Sequence, residues 1–346
     1  MILNAYSILD FFIVILRLLL GVVVLSLASI SWKRLSSESS PEKKKTQEDR
    51  LYLLFLASLL LLAINMISWP LLYLVLQSYV PEWPEVMCIY GVTQIGAGSE
   101  GVSRFLPRLI TTLQFVKPVL VFMSGAWFVL YLVHRQSRSA PLVGRLLVLL
   151  MIVGVLAVGD ALVEAAYLVI PKREVFVEAG CCTEALAEAS RASRFLPQAM
   201  FGSDYQRWLS AAYYGINLCM ILGLGFHARF ARSRRGRTGL LFLVLGAVIS
   251  LLTNWIFLVE VASPALLHRP HHCPYDVLQA IPESLIGVAL FFVGCFAVGW
   301  AACAAWLGNC SETIPVLGIF IRKTLTVALF CYGASLMILS MELALS

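Results

Sequence analysis

The chain reads as an all-α integral membrane protein of about eight transmembrane helices, and three observations predict this. Its 346 residues are 60% hydrophobic and only 13% charged, where a soluble domain is roughly half apolar and a quarter charged. The mean hydropathy is +0.85. The apolar residues gather into runs of the ~20 residues that a helix needs to cross a bilayer, and the segments between them alternate between basic loops and cysteine-bearing ones. Lipid is therefore the expected surrounding. The net charge of +6 is no argument for a nucleic-acid partner, because most of it belongs to loops that set topology.

Span 1 is read at about 8–31. It follows Met1-Ile2-Leu3-Asn4, which lacks the basic start of a cleaved signal peptide, so the span is read as retained. The polar stretch from Lys33 to Arg50 is predicted to be a flexible cytoplasmic loop. Its Lys43, Lys44 and Lys45 read as a solvated basic patch, with acidic-lipid contact as the alternative. Spans 2 and 3 follow at about 51–79 and 110–133, then spans 4 and 5 at 146–170 and 208–229. Spans 6, 7 and 8 complete the set at 239–262, 283–307 and 324–343, with 308–323 as the weakest boundary, a loop or a re-entrant turn. The basic loops hold Arg135, Arg138 and Arg145, then Arg229, Arg232, Arg234, Arg235 and Arg237, then Arg322 and Lys323. Basic loops stay in the cytoplasm, which puts both termini and the cysteine loops (about 80–109, 171–207 and 263–282) on the exoplasmic side. The expected setting is a bacterial plasma membrane, with the whole chain one polytopic domain.

Two pentapeptides recur. Ser103-Arg104-Phe105-Leu106-Pro107 returns as Ser193-Arg194-Phe195-Leu196-Pro197, and Leu162-Val163-Glu164-Ala165-Ala166 is echoed by Leu258-Val259-Glu260-Val261-Ala262. The spacing suggests three tandem hairpins (spans 2–3, 4–5 and 6–7) flanked by spans 1 and 8, with coincidence in an apolar alphabet as the alternative.

The outer loops carry Cys88, Cys181, Cys182 and Cys273. Three readings compete for them. Two structural disulfides would join the vicinal pair to Cys88 and Cys273, bracing an outer cap. A thiol relay to a membrane quinone would need a reactive thiolate and a resolving partner, and the chain has no Cys-x-x-Cys pair. A metal site would draw on His271, His272 and Cys273, although adjacent ligands rarely reach one tetrahedral ion. The segment from Cys88 to Pro107 is too polar to span and too apolar for a free loop, and Gly91, Gly96, Gly98 and Gly101 permit tight turns there. The remaining cysteines, Cys219, Cys295, Cys303, Cys310 and Cys331, read as small packing residues.

Ionisable groups inside spans are costly and each marks a candidate site. Arg17, Lys117, Asp160 and Glu164, with Asn217, Asn254, Glu260 and Glu283, are expected at one depth in the outer leaflet. Asp160 and Glu164 share a helix face at i, i+4. The alternatives are a buried ion-pair network or a polar cavity for a small molecule, lipid headgroup, quinone or proton. His134 and His227 close two inward spans at similar depth, as a pair of axial haem ligands should. No nucleophile triad, zinc-protease helix or nucleotide loop is present. The expected function is a non-enzymatic binding or anchoring subunit of a larger membrane complex. The alternatives are a membrane thiol-disulfide/quinone oxidoreductase and a proton-coupled carrier.

Overall fold

The computed structural model describes residues 4–35, 41–83, 86, 88–97, 99–137, 141–172, 192–230 and 235–346. Among these, regular structure is entirely helical, and eight helices are long and apolar enough to cross a bilayer. They are α1 (Ala5–Leu35), α2 (Pro41–Tyr79), α3 (Leu106–His134), α4 (Val143–Val169), α5 (Tyr205–Phe230), α6 (Arg235–Phe257), α7 (Pro282–Leu307) and α8 (Ile314–Leu345). Large apolar side chains stand exposed along them, Phe115 at 73% and Phe330 at 72%. Such surfaces belong against lipid, since soluble proteins rarely expose contiguous apolar patches of this kind. In lipid every backbone group must be bonded within its own segment, which is why each span is a helix.

Two boundaries differ from expectation. The polar stretch after Lys33 is helical from Pro41, because its Glu, Lys and Gln residues favour a helix and a proline is accepted in the first turn. The doubtful segment 308–323 shrinks to a turn at 308–313, closed by Thr313 Oγ1, which accepts from the Cys310 N–H and donates to its carbonyl (both 3.0 Å). α8 then starts ten residues earlier than expected, with Pro315 harmless in its first turn.

The spans pack by fours. The first unit holds α1–α4 and the second α5–α8, and in each the helices contact one another in a closed ring. Spans 4 and 5 fall in different units, so the helices do not group as the three hairpins suggested by the repeats. The repeated pentapeptides also differ in backbone. Ser103–Phe105 lies in a 3₁₀ turn (Gly101–Phe105) before α3, whereas Ser193–Pro197 lies in a regular helix (Ala192–Phe201) before α5. Glu164 sits in α-helix and Glu260 in a π-turn (Leu258–Ala262).

Within the first unit α1 buries a stripe spaced alternately three and four residues: Ser7, Asp10, Val14, Arg17, Gly21, Val24, Ala28 and Ser31. α4 buries a matching one, Leu146, Leu150, Val153, Ala157, Asp160, Glu164 and Tyr167. A seven-residue repeat of this kind keeps one seam of each helix on its partner. Small residues set the approach: a Cβ on Gly21 would lie 3.0 Å from Val158, and one on Gly154 3.1 Å from Leu25 Cβ. Those contacts run the two helices antiparallel, with Arg17 opposite Asp160 and Glu164.

The second unit is held by Met220, Leu224, Leu243, Phe291, Val298 and Tyr332. Tyr332 fits over Gly294 and its hydroxyl meets Ser250 Oγ (2.9 Å) and Cys295 Sγ (3.1 Å). Further along, Tyr213 stacks on Phe257 with centroids 3.9 Å apart.

The Cys88–Pro107 segment is folded, as its composition requires. Cys88 caps a short helix, Ile89–Thr93, and Ile89, Val92 and Ile95 are buried. Gly96 and Gly101 have positive φ (93° and 79°), and Gly91 packs against Val86. Gly98 lies outside the described residues.

Candidate functional site

The first unit closes around four charges. Asp160 and Glu164, one turn apart on α4, face Arg17 of α1 and Lys117 of α3. Arg17 Nη2 lies 2.8 Å from Asp160 Oδ2 and also pairs with Glu164. Lys117 Nζ lies 3.2 Å from Asp160 Oδ2 and 2.8 Å from Glu164 Oε1. All four side chains are 0% exposed. Each cation touches both carboxylates, so the cluster is cross-linked and sums to zero charge. Removing one ion from water costs several kcal/mol, offset here only by the others. Ser68 of α2 lies 3.5 Å from Lys117 Nζ, and beside it Asn65 donates to Ser124 (3.3 Å), so all four helices contribute polar groups.

One further carboxyl belongs to this interior and was not singled out in the sequence. Asp10 is fully buried on the α1 stripe, seven residues before Arg17. The charges that act on it are Glu164, Lys117, Arg17 and Asp160, yet neither of its oxygens has a hydrogen-bond partner among the described residues. The seven-residue spacing to Arg17 was the signal available, because it puts the two on one face. Closer to the helix end, Ser7 donates to the Tyr79 hydroxyl (2.9 Å) and Asn4 donates to Ser78 (2.9 Å).

Lys172, just past α4, also escaped the sequence reading. Its ammonium donates to the carbonyls of Tyr167, Leu168 (3.5 Å) and Ile170 (3.2 Å), and lies 4.4 Å from the Tyr167 ring centroid. It therefore closes the last turn of α4. Burial pushes its ammonium down from 10.5 to about 8. Below pH 8 the folded and unfolded chains are both protonated at this lysine. Between about 8 and 10.5 only the unfolded chain keeps the proton, so stability rises with pH across that window. In detergent, wild type is expected to gain up to about 3 kcal/mol relative to Lys172→Met between those limits, read from melting curves of the two proteins. A flat difference would contradict this.

In the second unit the predicted polar residues divide. Asn217 and Asn254 exchange side-chain hydrogen bonds (both 3.4 Å). Glu260, in the π-turn, accepts from Ser193 Oγ (2.5 Å) and the Tyr205 hydroxyl (3.0 Å), with His272 Nδ1 at 3.8 Å. Glu283 is exposed in the first turn of α7. Arg17, Lys117, Asp160 and Glu164 thus converge within the first unit, while within the second Asn217 pairs with Asn254 and Glu260 bonds to hydroxyls. Depth along a span is legible in sequence, but the direction in which each side chain points depends on helix rotation.

The loop histidines diverge. His271 Nε2 faces Asp276 (3.5 Å), which also pairs with Arg269, while His272 faces the Val259 carbonyl (3.0 Å). Among the described residues no three His, Cys, Asp or Glu side chains converge as a metal ion requires. His134 packs edge-on to Phe55 in the first unit, and His227 lies beside Gly239 in the second. Cys88 and Cys273 are both buried, each at the N-cap position of a short helix. Cys181 and Cys182 lie outside the described residues. Of the cysteines read as packing residues, Cys331 is buried, Cys295, Cys303 and Cys310 are partly buried, and Cys219 is exposed.

No family model, curated protein or solved structure matches the chain.

Proposed function

We propose that this protein is a non-enzymatic membrane subunit whose role is anchoring, with its termini and cysteine loops on the exoplasmic side. The observation that carries this reading is the closure of the first unit's ion cluster. Arg17, Lys117, Asp160 and Glu164 pair with one another at 0% exposure, which ties α1, α3 and α4 together. An enzyme needs an accessible nucleophile or base at its reacting centre, and these four groups are closed off from solvent. A charge-locked bundle with broad apolar faces suits instead a rigid platform for other membrane subunits. Disulfides from Cys181 and Cys182 to Cys88 and Cys273 would brace its outer loops.

Purification from native membranes in mild detergent, followed by intact-mass analysis, tests this. The expected result is a stoichiometric complex with at least one other integral membrane protein, in which the four loop cysteines react with a thiol tag only after reduction. An isolated chain whose loop thiols follow the quinone redox state would replace the anchoring role with thiol-quinone oxidoreduction. A lone chain that acidifies liposomes while moving a solute would make it a carrier.

A further inference from the structure

We propose that Asp10 is an exchangeable proton-binding site, loaded along the α1 stripe from its Asn4 end. The first observation is the charge count. Three carboxylates (Asp10, Asp160, Glu164) and two cations (Arg17, Lys117) are buried along the spans of this unit, and the third buried cation, Lys172, is engaged by the carbonyls of Tyr167, Leu168 and Ile170, so Asp10 has no ion-pair partner among the described residues. The second is the bonding. Both Asp10 oxygens lack partners among the described residues, as do Asp160 Oδ1 and Arg17 Nε and Nη1. A buried polar group without a partner carries a large desolvation cost. No hydrogen bond or ion pair among the described residues holds Asp10 in one charge state, whereas Asp160 and Glu164 are each paired with two cations. The site is therefore built for two states rather than one.

The third observation is the route. Asn4, Ser7 and Asp10 follow at three-residue spacing on one face of α1. Asn4 is partly exposed and bonded to Ser78, and Ser7 is buried and bonded to Tyr79. The Ser7–Tyr79 and Asn4–Ser78 pairs thus lie at the helix end within about two turns of the carboxyl, and the Lys172 ammonium stands 5.8 Å from the Tyr79 ring centroid. The titratable and charged groups that act electrostatically on Asp10 are Arg17 on its own helix, Tyr79 from α2, Lys117 from α3, and Asp160 and Glu164 from α4. The step is a simple one: the carboxylate takes one proton from the outer aqueous phase and becomes a neutral acid, and the reverse returns it. A metal cation is disfavoured because two fixed positive charges already stand in the cluster. This site goes beyond the anchoring role and does not depend on a partner.

Infrared difference spectroscopy on the full chain in liposomes, with pH stepped from acid to alkaline, tests it. Wild type is expected to show a carboxylic-acid C=O band that disappears as pH rises and shifts in deuterium oxide. Asp10→Asn is expected to lose that band completely. Asp10→Glu, which keeps the carboxyl, is expected to retain a displaced one. A band that never titrates or never exchanges in wild type would overturn the proposal, and that reading needs no variant to fold. So would a band that survives in Asp10→Asn, or one abolished by sodium at constant pH.

Discussion

Lys117→Met is expected to destabilise the protein by about 3–5 kcal/mol, because it leaves buried carboxylates facing a single guanidinium. The lysine touches both Asp160 and Glu164 and its side chain is 0% exposed, so bulk solvent does not reach the pair. The matched variant Lys117→Met/Asp160→Asn removes one charge of each sign and is expected to recover most of the loss, since neutral replacements of a buried pair often cost little. Thermal melting of the two single variants and the double completes a cycle, in which additive losses would rule out the ion cluster. Asp10 introduces an asymmetry. Asp160→Asn alone leaves an excess cation, which Asp10 can balance by releasing its proton, so this variant is expected to cost less than Lys117→Met. Adding Asp10→Asn to Asp160→Asn is expected to restore the full penalty.

Gly96→Ala is the second large effect, expected at about 3 kcal/mol or more. Gly96 has φ of +93°, a conformation that costs a side-chain-bearing residue ~1–3 kcal/mol. A Cβ there would also lie 2.2 Å from the carbonyl oxygen of Ser103. That carbonyl cannot yield easily, because it accepts the Leu106 N–H at the start of α3. Gly101→Ala supplies the control. Its φ is +79°, but a Cβ there meets nothing within 4 Å, so only the backbone strain is felt, about 1 kcal/mol. Equal melting temperatures for the two variants would show that the outer segment is not seated on α3 in this way.

The spans were legible because hydropathy is a local property. Six of the eight helices begin and end close to the apolar runs; α2 starts ten residues early, in the polar stretch at Pro41, and α8 ten residues early, in the segment expected to be the weakest boundary. The pairing of Arg17 and Lys117 with Asp160 and Glu164 was also legible, since charges in hydrocarbon must find one another and Asp160 and Glu164 share a face. Asp10 was not. It lies near the end of an apolar run, and only the seven-residue step from Arg17 ties it to the cluster. Glu260 and Glu283 looked equivalent in sequence, yet one is buried in a π-turn among hydroxyls and the other exposed.

By itself, then, the sequence determined the class of the fold, the number of spans and the members of the central charge cluster. Each follows from the free energy of placing a residue type in lipid, which needs no knowledge of neighbours. The tertiary structure alone decided that the helices close in two rings of four, that Asp10 is buried on the Arg17 face of α1 without a hydrogen-bond partner among the described residues, and that Asn217 pairs with Asn254 while Glu260 bonds to hydroxyls and Glu283 is exposed. Those outcomes depend on the rotation of each helix and on which helix lies beside it. Small residues such as Gly21 and Gly154 set that packing through shape, to which hydropathy is blind.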